Sequence, residues 1–488
     1  MTTSFYNGIL GVQSHQKSIN IISDNISNIS STAFKEISPE FSTIFSTTLN
    51  TASNNSTSND IGLGSSVNTT SMDLSQGALV STEKTFDMAI DGKGWFGIKK
   101  PDGSTYYTRN GDFSVDKNGD LVNPNGYYLT GTLGGNISPT TLSQSKLDAF
   151  GKAYSTQGAV NQTPYSISQI SDIKLSSVAT QKKINLPYFL YLPPKPTQNI
   201  QYKANLDPTI KTKFDPNTGT TQEVPNIEHF ATSLISPTGE QNILDMTFTK
   251  KVPSQIIGST WDANIQIQQF YEKYDPSKSY DTSKYAIDKN ANKVYQIVDD
   301  KSGVVSFDSS GALLSDTIPE LSNSGVPLKL NLGTVLNPSQ PNSGFDGLTS
   351  FKNNKSSNSV KKDGVAEGFL TKYSVINNGE IVANFTNGRT IPVAKIGVYH
   401  FQNAQGLEMA GDSLYKESAN SGKPIFFQNS SGEYINNSKI QSHRLEQSNI
   451  SFSTALTELI MMQKAYDASA KSITTSNQMI QNAINMKK

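Results

Sequence analysis

Apolar residues recur at seven-residue intervals at both ends of the chain, with companions three or four positions away. The first series consists of Phe5, Ile9, Val12, Ile19, Ile22 and Ile26, and the second of Phe452, Leu456, Leu459, Tyr466, Ile473 and Ile480. Such spacing predicts an amphipathic helix whose apolar side faces a partner helix. We therefore expect two terminal helices that pair as a coiled coil, and we regard these residues as candidates for self-assembly. Two ordinary helices docked on a globular core would produce the same spacing.

Between about Val67 and Glu433 the pattern changes to short alternating strands. Turn pairs separate the strands: Asp102-Gly103, Asn118-Gly119, Asn125-Gly126, Asn378-Gly379 and Asn387-Gly388. Both Asn-Gly and Asp-Gly accept the positive φ angles of two-residue hairpin turns. No helical pattern of about 10–15 residues separates the strands, which argues against a parallel sheet of βαβ units. The expected fold class is mainly β with α-helical termini.

Changes in composition divide the chain further. The run Ser46–Asp60 consists almost entirely of Ser, Thr and Asn and lacks the apolar residues that a core requires. We expect a terminal helical coiled-coil domain from residues 1–33 and 447–488, joined to the rest by connecting segments at 34–66 and 431–446. A β domain formed by 67–180 and 346–430 is then interrupted by an inserted outer β domain at 181–345.

The stretch "DGKGWFGI", Asp91–Ile98, matches G-x-G-x-x-G through Gly92, Gly94 and Gly97. In dinucleotide-binding enzymes this motif follows a strand and opens a helix, whose N-terminus receives the pyrophosphate. Here a Pro-Asp-Gly turn and a second strand-like stretch follow the motif. We therefore expect a turn between two strands, and no cofactor.

Other candidate chemistry is sparse. Asp116, Asn118 and Asp120 resemble the first ligands of a calcium loop. However, Leu121 replaces the required glycine and Tyr127 replaces the terminal glutamate, so a hairpin turn is the simpler interpretation. The four histidines are far apart and form no i, i+4 pair. We identify no catalytic, cofactor-binding or metal-binding residues, and we expect no enzyme.

Composition narrows the functional class. Lys plus Arg and Asp plus Glu number 41 each, so the formal net charge is zero and no surface for nucleic acid or an anionic membrane is indicated. The absence of Cys excludes disulfides, thiolate zinc sites and Cys nucleophiles. The start lacks the regions of a cleaved signal peptide, and no apolar run reaches the roughly 18 residues that span a bilayer.

Two terminal motifs carry a family resemblance. "ISDNISNISSTAFK", Ile22–Lys35, resembles the N-terminal signature of bacterial flagellar rod and hook proteins, in which a helix ends in N-N-I-A-N and T-G-F-K follows. The matching residues are Asn25, Ile26, Asn28, Thr32, Phe34 and Lys35, whereas Asp24, Ser27 and Ala33 depart from the signature. The segment 445–488 is similar to the C-terminal signature of the same family. Its matches are Ser448, Asn449, Leu459, Ile460, Gln463, Ala465, Tyr466, Ala470, Lys471 and Ile473.

Three stretches of the body, "FDMAIDGKGWFGI", "YYTRNGDFSVDKNGDLVNPNGYYLTG" and "VYHFQNAQGLEMAGDSLYKESANSG", also resemble the β domain of hook subunits. The resemblance implies a structural subunit that polymerises into the curved tube joining the rotary motor to the filament. It further implies export through the flagellum itself to an extracellular position. The implied partners are other copies, rod and hook–filament junction proteins, the hook cap and the export apparatus.

Length selects among the members of this family. Distal rod subunits resemble this chain at both ends but are about half as long and lack an inserted domain, so the resemblance favours a hook subunit. A rod-type or hook-like paralogue is the alternative within the family. A secreted β-rich adhesin is the alternative from another class, since it would share the composition and the turns but not the paired terminal repeats.

Overall fold

A computed structural model describes residues 2–44, 46–48, 60–143, 146–147, 163–252, 257–340, 343–352 and 358–486. Within these residues two long helices, α1 (Thr2–Ser27) and α2 (Phe452–Asn485), lie at the two ends of the chain. Between them are β-strands and two 3₁₀ helices, Val178–Thr180 and Ala404–Gly406. The prediction of a mainly β protein with α-helical termini is confirmed. Neither α1 nor α2, the long helices of the described residues, is apolar enough to cross a membrane.

The strands follow one another in three groups. The first group is β1 Ile37–Thr43, β2 Ser46–Thr48, β3 Asp60–Gly62, β4 Ser65–Met72, β5 Leu79–Ser81, β6 Met88–Asp91, β7 Trp95–Lys99, β8 Thr105–Thr108, β9 Ser114–Val115, β10 Leu121–Val122, β11 Tyr128–Leu133, β12 Ile137–Pro139, β13 Tyr165–Ile167, β14 Lys182–Lys183 and β15 Leu190–Leu192. The second group is β16 Asn199–Asn205, β17 Lys211–Asp215, β18 Thr220–Val224, β19 Ile227–Ile235, β20 Gln241–Lys250, β21 Ser259–Lys273, β22 Tyr285–Asp288, β23 Lys293–Phe307, β24 Leu313–Asp316, β25 Leu321–Asn323, β26 Val326–Asn331, β27 Leu348–Thr349 and β28 Ser359–Lys362. The third group is β29 Gly368–Val375, β30 Glu380–Phe385, β31 Thr390–Ile396, β32 Val398–Tyr399, β33 Glu408–Met409, β34 Leu414–Lys416, β35 Phe427–Gln428, β36 Tyr434–Ile435, β37 Lys439–Ser442 and β38 Arg444–Glu446.

The largest sheet combines strands of the first and third groups. Within it β15 pairs with β29, β11 with β31, and β7 with β32, all antiparallel. One hydrophobic cluster underlies this sheet and draws side chains from both groups, including Phe96, Leu190, Ile381 and Ile440. Burial of these side chains away from water is the main force that holds the two distant stretches of chain together.

The second group of strands forms two larger sheets around a separate core, and β17 and β18 pair as a small sheet of their own. One sheet follows the order β19-β20-β21-β23-β22, and in the other β16 pairs with β26, β27 and β28. Tyr202, Phe248 and Trp261 are each 2% exposed or less and belong to one cluster that spans both sheets. Along β20 buried residues alternate with partly exposed ones, and the buried side chains point into this core, as expected for an antiparallel strand with one face on a core.

The chain passes between these two cores along paired segments. Lys195 and Val365 exchange backbone hydrogen bonds, N–H to O, of 2.8 Å and 2.9 Å. Beside them, a Cβ atom added at Gly364 would lie 2.0 Å from the Thr197 Oγ1 atom, so only glycine fits there. The outgoing and returning segments are therefore held side by side.

A hairpin of β1 and β4 packs along α1. The Ser14 hydroxyl donates a hydrogen bond of 2.8 Å to the Ser65 carbonyl oxygen, and the Phe41 ring lies 6.0 Å from the His15 ring. Beyond β1 and β4, the short strands β2 and β3 also pair. These two strands lie at the ends of the polar stretch that the sequence predicts to be a linker, and residues 49–59 are outside the described part of the chain.

We predict that Trp261→Ala destabilises the strands β16 to β28 by about 3–5 kcal/mol, because it leaves a cavity in their core. Hydrogen–deuterium exchange with mass spectrometry checks this, with faster exchange expected in β20 and β21 and unchanged exchange in β29 to β31. Phe270→Ala is the matched control, since Phe270 lies on the same strand and is 50% exposed. Equal acceleration in both groups of strands would contradict the separation of the two cores.

Candidate functional site

The two terminal helices pack against each other through small residues of α1. A Cβ atom added at Gly8 would lie 2.7 Å from Ile473 Cγ1, and one added at Gly11 would lie 2.7 Å from the Ser469 hydroxyl oxygen. The glycines therefore bring the backbones of the two helices close together. Further along, Ile22 and Ala455 are buried in one cluster at the base of the helix pair.

The apolar residues predicted for self-assembly fall into two sets. One set is buried or half-buried and comprises Phe5, Ile9, Val12, Ile19, Ile22, Ile26, Leu459, Tyr466, Ile473 and Ile480. The other set is exposed and comprises Phe452 and Leu456, which are 56% and 41% exposed. Together with Ile460, at 49%, these two form a line along α2 that we call the outer ridge. The role of both sets in assembly stays a prediction.

The N-terminal motif clamps the end of α1 onto the strand that follows. The Asn25 side chain donates to the Ile37 carbonyl at 2.7 Å and accepts from the Ile37 N–H at 3.1 Å. The Asn28 side chain donates to the Asp24 carbonyl oxygen at 3.0 Å, and this oxygen also accepts the Asn28 backbone N–H at 3.1 Å. Ala33 stands where the family signature has glycine, and it still adopts the left-handed conformation, with φ of 58°.

The C-terminal motif binds the same region from the other side. Asn449 accepts a hydrogen bond of 2.8 Å from the Glu36 N–H and donates to the Asp73 carbonyl at 3.0 Å. Ser448 accepts a weaker bond, 3.4 Å, from the Ile450 N–H just before α2 begins. Phe34 is buried in the cluster at the base of the helices. The motif residues at both termini thus meet in one place, although over 400 residues separate them in sequence.

At the centre of this meeting point lies the carboxylate of Glu446, which is fully buried. One oxygen accepts from the Lys35 ammonium at 2.7 Å and from the Gly77 N–H at 3.0 Å. The other oxygen accepts from the Arg109 guanidinium, at 2.9 Å from Nε and 2.8 Å from the second terminal nitrogen. We call these four residues the joint, because they connect the N-terminal segment, the C-terminal segment and the β body.

Burial shapes the electrostatics of the joint. Loss of solvation lowers the pKa of Lys35 below its ordinary value, and the nearby Glu446 carboxylate opposes that effect. Burial likewise lowers the pKa of Arg109, which nevertheless stays charged because guanidinium does not lose its proton in proteins. Burial, with a smaller effect of Glu446, raises the pKa of Tyr415 to about 12. At the joint, the buried cations Lys35 and Arg109 thus share the single buried carboxylate of Glu446.

The glycines of Asp91–Ile98 serve this ionic contact. Gly92 and Gly94 occupy the turn between β6 and β7 with φ angles of 115° and 122°, and both carbonyl oxygens accept from the Arg109 guanidinium at 2.9 Å and 2.8 Å. The turn thus presents carbonyls to a cation, whereas a dinucleotide motif presents N–H groups to an anion. The predicted turn between strands is confirmed.

Other predicted features lie apart from the joint. The Asp116 carboxylate accepts hydrogen bonds from the Asn118 and Asp120 N–H groups and so closes the hairpin turn between β9 and β10. Of the histidines, His400 lies nearest the joint, where burial, with a smaller effect of Arg109, lowers its pKa. Within the described residues, no three His, Asp or Glu side chains form a group that would hold a metal ion.

Sequence reasoning missed Glu446, Arg109 and Gly77. Glu446 lies at the start of the segment that resembles the C-terminal signature, and Arg109 lies in another stretch with family resemblance, so their place in those segments was the available signal. Charged residues are usually exposed unless they are paired. Glu446 and Arg109 are paired, but they are 337 residues apart in the sequence. Nothing local in the sequence specifies such a pair.

Two family models match the chain. The flagellar hook protein FlgE/F/G D1 domain matches residues 89–185, a range that includes the Gly92 turn and Arg109. The C-terminal model of the flagellar basal body rod FlgEFG proteins matches residues 441–486, which include Glu446 and α2.

Curated proteins resemble the chain over its whole length. A flagellar hook protein FlgE of Borreliella burgdorferi is 25% identical, and one of Treponema pallidum 24%, with all of both chains covered in each case. The FlgE of Salmonella typhimurium is 23% identical over 99% of this chain and all of its own. A crystal structure of Helicobacter pylori FlgE2 covers 75% of this chain and all of its own, with a TM-score of 0.47 and 16% identity.

We predict that Glu446→Gln destabilises the joint by about 3–5 kcal/mol, because it leaves two buried cations without an anionic partner. Denaturant unfolding followed by circular dichroism of the helices measures the effect. Glu433→Gln is the control, because it breaks an exposed pair with Lys174 and is expected to leave the unfolding midpoint unchanged. An unchanged midpoint in Glu446→Gln would refute the proposed importance of this carboxylate.

Proposed function

We infer that the chain is a structural subunit of the flagellar hook, not an enzyme, and that it polymerises through its terminal helices. In this proposal the helices form the inner wall of the hook tube and the β strands lie outside them. The tube bends while it transmits torque from the rod to the filament. The flagellar hook is the location that the relatives support.

The outer ridge is the observation that carries this proposal. Phe452, Leu456 and Ile460 follow one another at four-residue spacing and expose their apolar side chains, beside the side of α2 that packs on α1. Contiguous apolar surface of this kind marks sites of protein association, since covering it removes it from water. A second copy offers the matching apolar helix surface.

We further propose that α1 and α2 form a two-helix coiled coil in each subunit. The seven-residue repeat supports this assignment, because a repeat of that period keeps one side of each helix facing its partner. The close approach at Gly8 and Gly11 also supports it, since small residues let the helices approach along their length. In the tube, this pair would act as one rigid element.

A second part of the proposal concerns domains. We propose that an outer β domain is inserted into the β domain of the body, as the sequence suggests for residues 181–345. The separate cluster around Trp261 supports an insertion, and the paired segments at Lys195 and Val365 support boundaries near 197 and 363. A start of the outer domain near 197, after the 181 expected from the sequence, is supported because Leu190 and Leu192 pack in the hydrophobic cluster under the largest sheet.

We also propose where the chain assembles and which proteins it contacts there. A hook subunit is exported through the flagellum and assembles outside the cell. There we expect contacts with rod proteins below, hook–filament junction proteins above, and the hook cap during growth. The balanced charge of the chain fits a surface that slides past identical neighbours without strong repulsion or attraction.

We predict that Leu456→Asp raises the critical concentration for tube formation at least about tenfold, which corresponds to a loss of about 1.4 kcal/mol per contact. A charge on the outer ridge would have to be buried between copies, while the subunit itself stays folded because Leu456 is exposed. Sedimentation and electron microscopy of assembled material provide the measurement. Leu456→Met, which keeps the apolar surface, is the control, and normal tubes from Leu456→Asp would exclude this surface as the contact.

Immunogold electron microscopy of isolated hook–basal bodies tests the position of the chain. An antibody against residues 197–363 is expected to label the curved segment along its length, because the proposed outer domain faces outward. Label confined to the straight rod would instead identify a rod-type paralogue. Bare particles with labelled free surface material would favour a secreted adhesin.

A further inference from the structure

The joint carries more positive charge than its carboxylate balances. Lys35 and Arg109 are 2% and 4% exposed, and both bind the single carboxylate of Glu446. The next acidic group, Asp73, is exposed, and its carboxylate accepts from the N–H and hydroxyl of Ser75. Burying an unbalanced charge is costly unless a further partner is supplied.

A cavity of about 100 Å³ lies beside these cations. That volume far exceeds the roughly 10–15 Å³ that a single water needs by the same measure. The polar residues on its wall are Lys35, Lys93, Trp95, Arg109 and His400. None of these five side chains carries a negative charge.

Hydrogen-bond accounting shows which wall groups remain unpaired. Arg109 has no donor left, because its N–H groups bind Glu446 and the carbonyls of Ile90, Gly92 and Gly94. Lys35 has partners for two of its three N–H groups. Within the described residues, neither the Trp95 indole N–H nor the Lys93 ammonium donates to any acceptor.

In the described part of the chain, Trp95 and His400 hold polar atoms without protein partners at the wall of this cavity. The Trp95 side chain is 4% exposed and packs 4.5 Å from the Tyr415 ring, so it is fixed in place beside the cavity. Of these atoms, the Nε2 atom of His400 is buried without a partner among the described residues. Buried polar atoms are nearly always paired, so this one points to a partner that the protein alone does not provide.

We propose that this cavity binds an oxyanion, a carboxylate or phosphate group, through the N–H donors of Lys35, Lys93 and Trp95. The guanidinium of Arg109 attracts the anion by its positive charge, although all its N–H groups already have other acceptors. The bound anion balances the joint and ties the segment after α1 to the turn between β6 and β7. Its source is either a free ion in solution or a carboxylate side chain of a second copy.

Calorimetric titration of the unassembled full-length chain with inorganic phosphate tests the site. We expect saturable binding of one phosphate per chain, weakened at least about fivefold by Lys93→Gln, since a charge-assisted hydrogen bond is lost. Trp95→Phe, which removes the N–H but keeps an aromatic ring against Tyr415, is expected to weaken binding as well. Lys99→Gln is the matched control, because Lys99 is an exposed lysine of β7 that does not line the cavity.

Absence of saturable binding, or equal affinity in all four proteins, would overturn the proposal. Equilibrium dialysis of assembled tubes then identifies the source. Retention of one phosphate per subunit in tubes indicates a free ion, whereas binding by the unassembled chain that disappears in tubes indicates a carboxylate of the neighbouring copy. The first experiment does not depend on polymerisation, so its failure and failure of the proposed function are distinguishable.

Discussion

The relation between the terminal helices and the β body depends on one buried carboxylate. Glu446 is the shared partner of Lys35 from the N-terminal segment, Arg109 from the body and the backbone N–H of Gly77. A buried ionic contact gains little over apolar packing, because both partners lose their hydration. Its removal is nevertheless costly, since the remaining cations keep that loss without compensation. The joint therefore connects three chain segments, while its net contribution to total stability is small.

Glycines make this contact sterically possible. A Cβ atom at Gly77 would lie 2.0 Å from the Gln447 carbonyl oxygen, and Gly94 adopts a φ angle of 122° that other residues rarely reach. The first allows the two terminal segments to touch, and the second turns a carbonyl toward Arg109. The G-x-G pattern thus has a structural use in which backbone oxygens replace the water that the guanidinium loses on burial.

The two sides of α2 have different roles in the proposed assembly. One side packs on α1 within the same chain, while the outer ridge remains exposed. Because the joint holds the helix pair to the body, force applied to the helices passes into the β strands through buried contacts, as torque transmission in a hook would require. Anion binding beside Lys35 would strengthen the same connection.

The sequence by itself determined the two terminal helices, the hairpin turns and the mainly β body, because periodicity and Asn-Gly turn preferences act over a few neighbouring residues. It also indicated the motif residues Asn25 and Asn449, although only through family resemblance. Tertiary structure alone decided that Glu446 and Arg109 meet, since they are 337 residues apart and nothing local in the sequence specifies that they pair. It also decided that Leu459 turns toward the cluster at the base of the helices while Leu456 faces outward. A seven-residue repeat predicts that a helix has an apolar side, but the packing partner determines which of its residues that side includes.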